Sequence, residues 1–422
     1  MSRAQASRAC WVLCALLGCS EQGASPATPT PAHPSGGVAS AASGASSGSS
    51  AGSAASGKSS SDGGSSGGMP AAAGSSVQSE AGAFTGGQGG TDSGCPTPDL
   101  RELSVFSPGW DALGYPPYAL DGCKLVYVAP EAGAGALHLR DLASGEDVLL
   151  EPPQAMPRRP TLAGDVIAWE VDDAGKSRVR VSYLGLTKTL GVELDHAGEP
   201  RATTDAVVFT AFLGSADTDD TDVYLYDVLK DELAPIATGP AQQRFADVSP
   251  THVAVTDFSE DPRGYFDERD SLADVLVIER ASGVRIPRAA SGKQAFPLLG
   301  SDGALVYLAW GAVHPEPKFS QYWLKAGNVS QSVELDRSLT LEQVQTNPAY
   351  VRPSVRENHV DFVDTRDSVV GLYRKSLDSD AEPTAAPLSG SAQLLGPVAG
   401  DSVTLISKPL AGQALELIAV ER

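Results

Sequence analysis

The chain has 422 residues and carries 52 Asp and Glu against 31 Lys and Arg, a formal net charge of −21. So acidic a surface repels phosphate backbones and anionic headgroups, which argues against nucleic acid and anionic lipid as partners. It suits cationic ligands or plain solubility, and solubility is the simpler reading.

In chain order the first element is a targeting segment, residues 1–18. Arg3 and Arg8 form a basic start, and Ala9–Leu17 form an apolar run too short to span a bilayer. The run ends in Leu16-Leu17-Gly18-Cys19, which resembles the lipobox of bacterial lipoproteins. That resemblance implies cleavage before Cys19, acylation of its thiol and attachment to a membrane through lipid. Ser20 follows in place of Asp, which in such lipoproteins points to the outer membrane.

Residues 19–94 are mostly Ser, Gly, Ala, Pro and Thr with isolated charges. They bury too little apolar surface to offset the entropy of ordering and read as a disordered tether. A flexible coil of this length spans roughly 50 Å. Gly52–Ser59 matches a P-loop letter for letter, and Gly44–Gly48 and Gly63–Gly67 match a nucleophile elbow. Without a strand before and a helix after, these are matches of composition rather than of chemistry.

Residues 95–422 form the folded part. Cys10 and Cys14 depart with the leader and Cys19 takes lipid, leaving Cys95 and Cys123 as an even pair in an oxidising compartment. A bridge between them would contribute about 3.5 kcal/mol in the chain-entropy model; two free thiols are the alternative.

After Cys95 no helical period is sustained. One unit recurs instead: an entry proline, a polar turn, a β-branched run ending on a large apolar residue, a variable loop and a second alternating strand. The entry positions are Pro117, Pro160, Pro200, Ala246, Pro297, Pro353 and Pro397, and the runs end on Tyr127, Trp169, Phe209, Val255, Tyr307, Phe362 and Leu405. Proline suits the first position of a strand, where its missing N–H costs least. Seven such units predict an all-β, seven-bladed β-propeller behind the disordered linker, within a range of six to eight blades, with a two-sheet sandwich as the rival. Glu102–Ser107 is an orphan strand before the first unit, and the last unit lacks its outer strand. The two are expected to pair and close the ring. The phrases DVYLYDVLKDE and VDTRDSVVGLYRKSLDS resemble repeats of TolB-like and WD40-like bacterial propellers, which implies the fold and little about activity.

Nothing in the sequence marks a catalytic residue, and no cofactor is expected. The histidines are scattered, with no zinc spacing. The acidic run Asp217, Asp219, Asp220 and Asp222 is a weak Ca²⁺ candidate that lacks the glycine turn and distal glutamate of a calcium loop. Long second-to-third loops carry Tyr265, Phe266, Trp310 and Phe319 beside Asp267 and Asp270, a candidate binding face for sugar rings or a cationic partner; tucked-under loop cores are the alternative. The inner strands offer Arg159, Arg201, Asp247, Arg352 and Arg356, mostly guanidinium, which binds carboxylates well and is a poor general base. The function expected is therefore a non-enzymatic binding or scaffold domain on a monomeric, envelope-anchored lipoprotein, with a protein or glycan partner. The alternative is a propeller enzyme of the polysaccharide lyase or glycoside hydrolase type, with its site in the central funnel.

Overall fold

The computed structural model describes Leu100, Leu103–Phe106 and most of Tyr115–Glu421; residues 1–99, segments 107–114, 215–219, 265–271, 288–292, 311–317, 335–352 and 386–394, and a few short turns lie outside the description. The leader, Cys19, the tether and Cys95 are therefore outside it.

Among the described residues, seven four-stranded antiparallel sheets are arranged as a β-propeller. Strand β1 (Ser104–Phe106) stands apart in sequence. The first sheet holds β2 (Tyr118–Asp121), β3 (Lys124–Glu131), β4 (Ala134–Asp141) and β5 (Asp147–Glu151). The second holds β6 (Arg158–Ala163), β7 (Val166–Asp173), β8 (Lys176–Tyr183) and β9 (Leu186–Leu190), and the third β10 (His196–Ala202), β11 (Ala206–Phe212), β12 (Thr221–Asp227) and β13 (Glu232–Ala237). The fourth holds β14 (Gln243–Val248), β15 (His252–Asp257), β16 (Asp274–Glu279) and β17 (Arg285–Pro287). The fifth holds β18 (Lys293–Leu299), β19 (Ala304–Trp310), β20 (Lys318–Lys325) and β21 (Asn328–Glu334), and the sixth β22 (Ser354–Arg356), β23 (His359–Arg366), β24 (Val369–Ser376) and β25 (Thr384–Ala385). The seventh holds β26 (Leu395–Ala399), β27 (Val403–Pro409) and β28 (Ala414–Glu421), and β1 supplies its outer strand.

The second strand of each sheet explains the stacking. Its side chains alternate between two faces, and in a propeller both faces meet a neighbouring blade, so the strand reads as a continuous apolar run. Val126, Tyr127 and Val128 are all buried, as are Val166 to Val171 and Val207 to Phe209. Each large residue that ends a run in the sequence (Tyr127, Trp169, Phe209, Val255, Tyr307, Phe362, Leu405) is buried. Trp169 joins Val126, Val128 and Leu137 of the first sheet, and Phe209 joins Val166, Ala168 and Val179 of the second. The sixth-to-seventh junction includes a polar latch: Arg374 donates to both Asp361 oxygens (2.8 and 3.0 Å) and to Thr404 Oγ1 (2.8 Å) across the gap.

The entry prolines correct one expectation. Pro117 and Pro353 immediately precede β2 and β22, as first positions should, but Pro160, Pro200, Pro297 and Pro397 lie inside the inner strands. There the ladder skips residues, between Arg158 and Thr161, Gly198 and Arg201, Ala295 and Leu298, and Leu395 and Val398. The proline occupies the unpaired part of a β-bulge, where an absent N–H breaks no ladder bond. The residue before it turns left-handed at Arg159 (φ 52°), Glu199 (φ 58°) and Phe296 (φ 55°), and Phe245 (φ 53°) does the same ahead of Ala246.

Two of these turned residues, Glu199 and Phe296, present their N–H to the preceding blade, where the side chain of the residue after the large anchor accepts it. Glu170 Oε2 accepts from Glu199 N at 3.2 Å, and Thr256 Oγ1 accepts from Phe296 N at 3.1 Å. A Cβ on Gly198 would stand 2.6 Å from Glu170 Oε2, so glycine is needed for this approach.

The ring closes through β1. Val105 pairs with Leu415 and Phe106 with Ala414, and Leu103, Val105, Leu415 and Leu417 join Tyr118, Leu125 and Tyr127 in one cluster. Closure of this kind covers an outer edge that would otherwise invite pairing with another chain. Leu103→Ala and Leu415→Ala should each cost about 2–5 kcal/mol in urea unfolding. Their double-mutant cycle should depart from additivity by at least about 0.5 kcal/mol; strict additivity would show that the two leucines do not act in one closure.

Candidate functional site

A cavity of about 390 Å³ lies on the ring axis, lined by inner-strand residues of all seven sheets. Its wall is built mainly from the stretches that follow the bulges: Thr161 to Ala163, Arg201 to Thr204, Asp247 to Pro250, Leu298 and Leu299, Pro353 to Arg356, and Val398 and Ala399. In β10 the start, His196, pairs with Phe212 beside the second-to-third loop, while Ala202 pairs with Val207 beside the first turn. The cavity thus sits towards the end of the ring that carries the first-to-second turns, away from the long loops.

The other end of the inner strands is filled. Tyr115 is buried, with the Arg159 guanidinium 5.3 Å and the Arg201 guanidinium 4.9 Å from its ring centre. Around it the bulges bring together charges far apart in sequence. Glu170 accepts from Arg158 Nε (2.7 Å), Arg159 Nη1 (2.9 Å) and Ser177 Oγ (2.8 Å). Glu199, with no exposed surface, accepts from Arg244 Nη2 (2.5 Å) and Thr210 Oγ1 (3.0 Å). Arg244 in turn lies against the rings of Phe212 (5.0 Å) and Phe245 (4.9 Å). Burial alone would raise the Glu170 carboxyl, but Arg159, Arg158 and Ser177 outweigh it and hold it below the ordinary Glu value. Glu199 follows the same logic: burial raises it, and Arg244, Arg159 and Thr210 bring it lower.

Of the inner-strand charges read from sequence, Arg201, Asp247 and Arg356 line the cavity. Arg159 does not, because its left-handed backbone turns the side chain to Glu170 and Tyr115. Arg352 is outside the described residues. Arg356 bonds Asp121 of the first sheet, and Asp247 Oδ2 accepts from Leu299 N at 2.7 Å. Asp121 also accepts from Gly164 N, so the first turns of neighbouring blades are tied around the mouth. Beside them Arg280 reaches back to Asp205, at 3.1 and 3.0 Å, and to the carbonyls of Ser249 and Pro250, both at 3.0 Å.

Tyr265, Phe266, Asp267, Asp270, Asp217 and Asp219 lie outside the described residues. Trp310 is the last residue of β19 and Phe319 the second of β20, paired with Leu308, so strand positions flank that loop. Asp222 belongs to β12 and receives Gly239 N at 3.4 Å; burial raises the carboxyls of both Asp220 and Asp222, and Asp220 adds to the effect on Asp222. Among the described residues no group of three or more His, Cys, Asp or Glu is placed to hold a metal. His252 opens β15 beside Thr251 Oγ1 (2.8 Å) and is lowered by burial, in keeping with a packing role. Sequence reasoning missed the Glu170 and Glu199 cluster. The available signal was a glutamate directly after a large anchor, Glu170 after Trp169, and another directly before an entry proline, Glu199 before Pro200.

No family model matches the sequence, and no curated protein matches it. Solved structures do. The β-propeller domain of the trilobed protease from Pyrococcus furiosus, which has an open velcro topology, is similar at TM-score 0.52 and 14% identity, over 76% of this chain and 93% of that one. Oligogalacturonate lyase from Vibrio parahaemolyticus is similar at TM-score 0.52 and 12% identity, over 74% of this chain and 89% of that one. TolB from Acinetobacter baumannii is similar at TM-score 0.37 and 12% identity, over 61% of this chain and 66% of that one. At these identities the first two likenesses support the propeller fold and say nothing of activity.

The carboxylate cluster gives the fold a defined acid sensitivity. A carboxyl whose folded pKa is depressed stabilises the fold fully above its unfolded value, and that stability is lost as pH falls through the folded value. The urea midpoint should therefore hold from pH 7 to about 5 and fall below about pH 4. Glu170→Gln, which strands Arg158 and Arg159, should cost about 3–5 kcal/mol at pH 7. The gap from wild type should narrow as pH falls; a gap constant down to pH 3 would show that the Glu170 charge does not hold the cluster.

Proposed function

We propose that this protein is an envelope-anchored lipoprotein whose propeller is a non-enzymatic binding domain, with the axial cavity as its receptor site. The observation that carries the reading is the make-up of the cavity wall. Among its described lining residues there is one carboxylate, Asp247, and it accepts a backbone N–H; the other charged groups are Arg201 and Arg356. Glycoside hydrolysis needs two carboxyl groups flanking a bond, one of them kept protonated. Two buried carboxylates at the other end of the inner strands, Glu170 and Glu199, are held low by guanidinium and are committed to the bulges. With its one described carboxylate engaged by a backbone N–H, a wall otherwise of guanidinium, hydroxyl and apolar groups suits holding a ligand better than cleaving it.

The anchor belongs to the same proposal. Lipid on Cys19 would hold the chain at the outer membrane, the 19–94 tether would carry the propeller clear of it, and a Cys95–Cys123 bridge would fasten the closing segment to the first-turn region of the first sheet. Partner proteins or glycans of the envelope remain the expected occupants of the long-loop end. Cys19→Ala should leave the chain unprocessed or release it from membranes, read by detergent partitioning; unchanged partitioning would remove the anchor from the proposal.

Chemistry is tested separately. Incubation with oligogalacturonate and with aryl glycosides, followed by mass spectrometry, should yield no product. Asp247→Asn should weaken the bond to Leu299 N at a cost of about 1–2 kcal/mol and leave ligand capture in place. Turnover by the wild-type chain that disappears in Asp247→Asn would overturn the non-enzymatic reading in favour of a lyase or hydrolase.

A further inference from the structure

We infer that the first-turn end of the ring rests on a zwitterionic lipid surface, through exposed apolar side chains of the second, third and fourth sheets. The inference rests on the lipid-anchor reading above and adds an orientation to it. The route of the chain into the ring is its first support. Strand β1 takes the outer place of the seventh sheet; Phe106 pairs with Ala414, where β28 begins, and Ser104 pairs further along, with Glu416. The far end of β28, Glu421, pairs with Val403, the first residue of β27 after the first turn. Ser104 is therefore the end of β1 nearer the first turns, and the preceding chain enters the strand from that end. In the anchor reading that chain is the tether, and it leads back to the lipid.

The same end carries a stripe of exposed apolar side chains. In antiparallel sheets of this order the first-to-second and third-to-fourth turns share one end. Leu184 (68% exposed) and Leu186 (79%) flank Gly185 in the third-to-fourth turn of the second sheet. Leu229 (67%) occupies that turn in the third sheet, and Val284 (54%) lies between β16 and β17 in the fourth. Side chains tie these turns to one another. Lys188 of β9 bonds Asp231, two residues after Leu229, and Arg280, just after β16, bonds Asp205 in the first turn of the third sheet at 3.0 Å. A single exposed leucine is ordinary, but large apolar groups at one place on three consecutive sheets make a patch of the kind that marks a contact.

Charge selects the kind of lipid. A chain of net charge −21 is repelled by anionic headgroups. Beside the stripe, cations are matched by carboxylates: Lys188 by Asp231, Lys230 by Asp227 and Arg280 by Asp205. Apolar groups set among such pairs suit zwitterionic headgroups and gain nothing from anionic ones. The stripe occupies three sheets of seven, so the ring leans on one edge, and the long-loop end, where envelope partners are expected, faces away from the membrane.

The test is photolabelling of the full chain as isolated from membranes, placed in phosphatidylcholine vesicles that carry a diazirine lipid. Labelled peptides are mapped by mass spectrometry, and attachment is followed by flotation. Label should concentrate at Leu184 to Leu186, Leu229 and Val284, at least about fivefold above Leu213 and Leu272, which lie by the second-to-third loops at the opposite end. The double variant Leu186→Ser, Leu229→Ser should lower that label at least about fivefold and leave flotation unchanged, because the lipid on Cys19 still holds the chain. Urea unfolding checks that the variant folds; if it does not, Val284→Ser carries the comparison. Adding phosphatidylglycerol to the vesicles should lower the label. Even labelling of both ends, label unchanged in the variant, or label that rises with phosphatidylglycerol would each overturn the inference. A dimer in sedimentation that the variant abolishes, with no lipid label on the stripe, would give the stripe to a second copy of the chain and overturn it as well. Failure to float would remove the anchor reading: label confined to the stripe would then still support this inference, and its absence would overturn both.

Discussion

The propeller depends on one constraint: each second strand is sandwiched between two blades and must bury both of its faces. A strand such as Val166–Asp173 has no solvent side in its first six residues, and Trp169 packs against the first sheet while Val166 and Ala168 pack against the third. At about 25 cal/mol per Å² of apolar surface removed from water, a fully buried large side chain is worth about 1.5–3 kcal/mol. No blade collects that alone, because half of each face belongs to its neighbour. The ring must therefore close, and the chain closes it with three residues from before the first blade.

Burial on both faces creates a polar problem at the bulges. A bulge removes residues from the ladder, and a buried N–H without a partner costs about 1–3 kcal/mol. Here the previous blade supplies the acceptor from the position directly after its large anchor: Glu170 for Glu199, Thr256 for Phe296. Where that acceptor is a glutamate, a charge enters the core and needs Arg158 and Arg159 in compensation. The Arg–Glu cluster is thus a consequence of propeller geometry before it is anything else. Its groups are committed to structure, which is why its carboxyls are poor candidates for acid–base work.

Much of this was legible in the sequence, for reasons that can be named. The large anchors and their spacing report two-faced burial, which has no other easy expression in a strand, and the orphan strand ending at Phe106 reported the missing edge of the last sheet. The prolines were read as strand openers because a missing N–H is cheap there; it is equally cheap inside a bulge, and sequence alone does not separate the two. Arg159 was assigned to the axis from its place in an inner strand, and its left-handed φ of 52° redirects it. A one-residue break in register moves a side chain from one face to the other, so period-two reasoning fails at such points. Aromatic loop positions were legible as composition only, since loops carry no period from which a direction could be read.

The bulges also divide the ring functionally. On the side where the inner strands begin, Tyr115 is buried against Arg159 and Arg201, and the Arg–Glu cluster occupies the bulges. Beyond the bulges the inner strands resume their ladder, and residues of all seven sheets line the central space. Those positions differ from blade to blade: Thr161, Arg201, Asp247, Leu298, Ser354 and Val398 occupy the first paired place after the bulge or its equivalent in six sheets. Six different side chains at one repeated position contrast with the anchors, where every sheet presents a large apolar group. Stacking imposes the second pattern and leaves the first more latitude. The variety facing the axis is therefore where a ring built from near-identical blades can acquire a single, asymmetric ligand site.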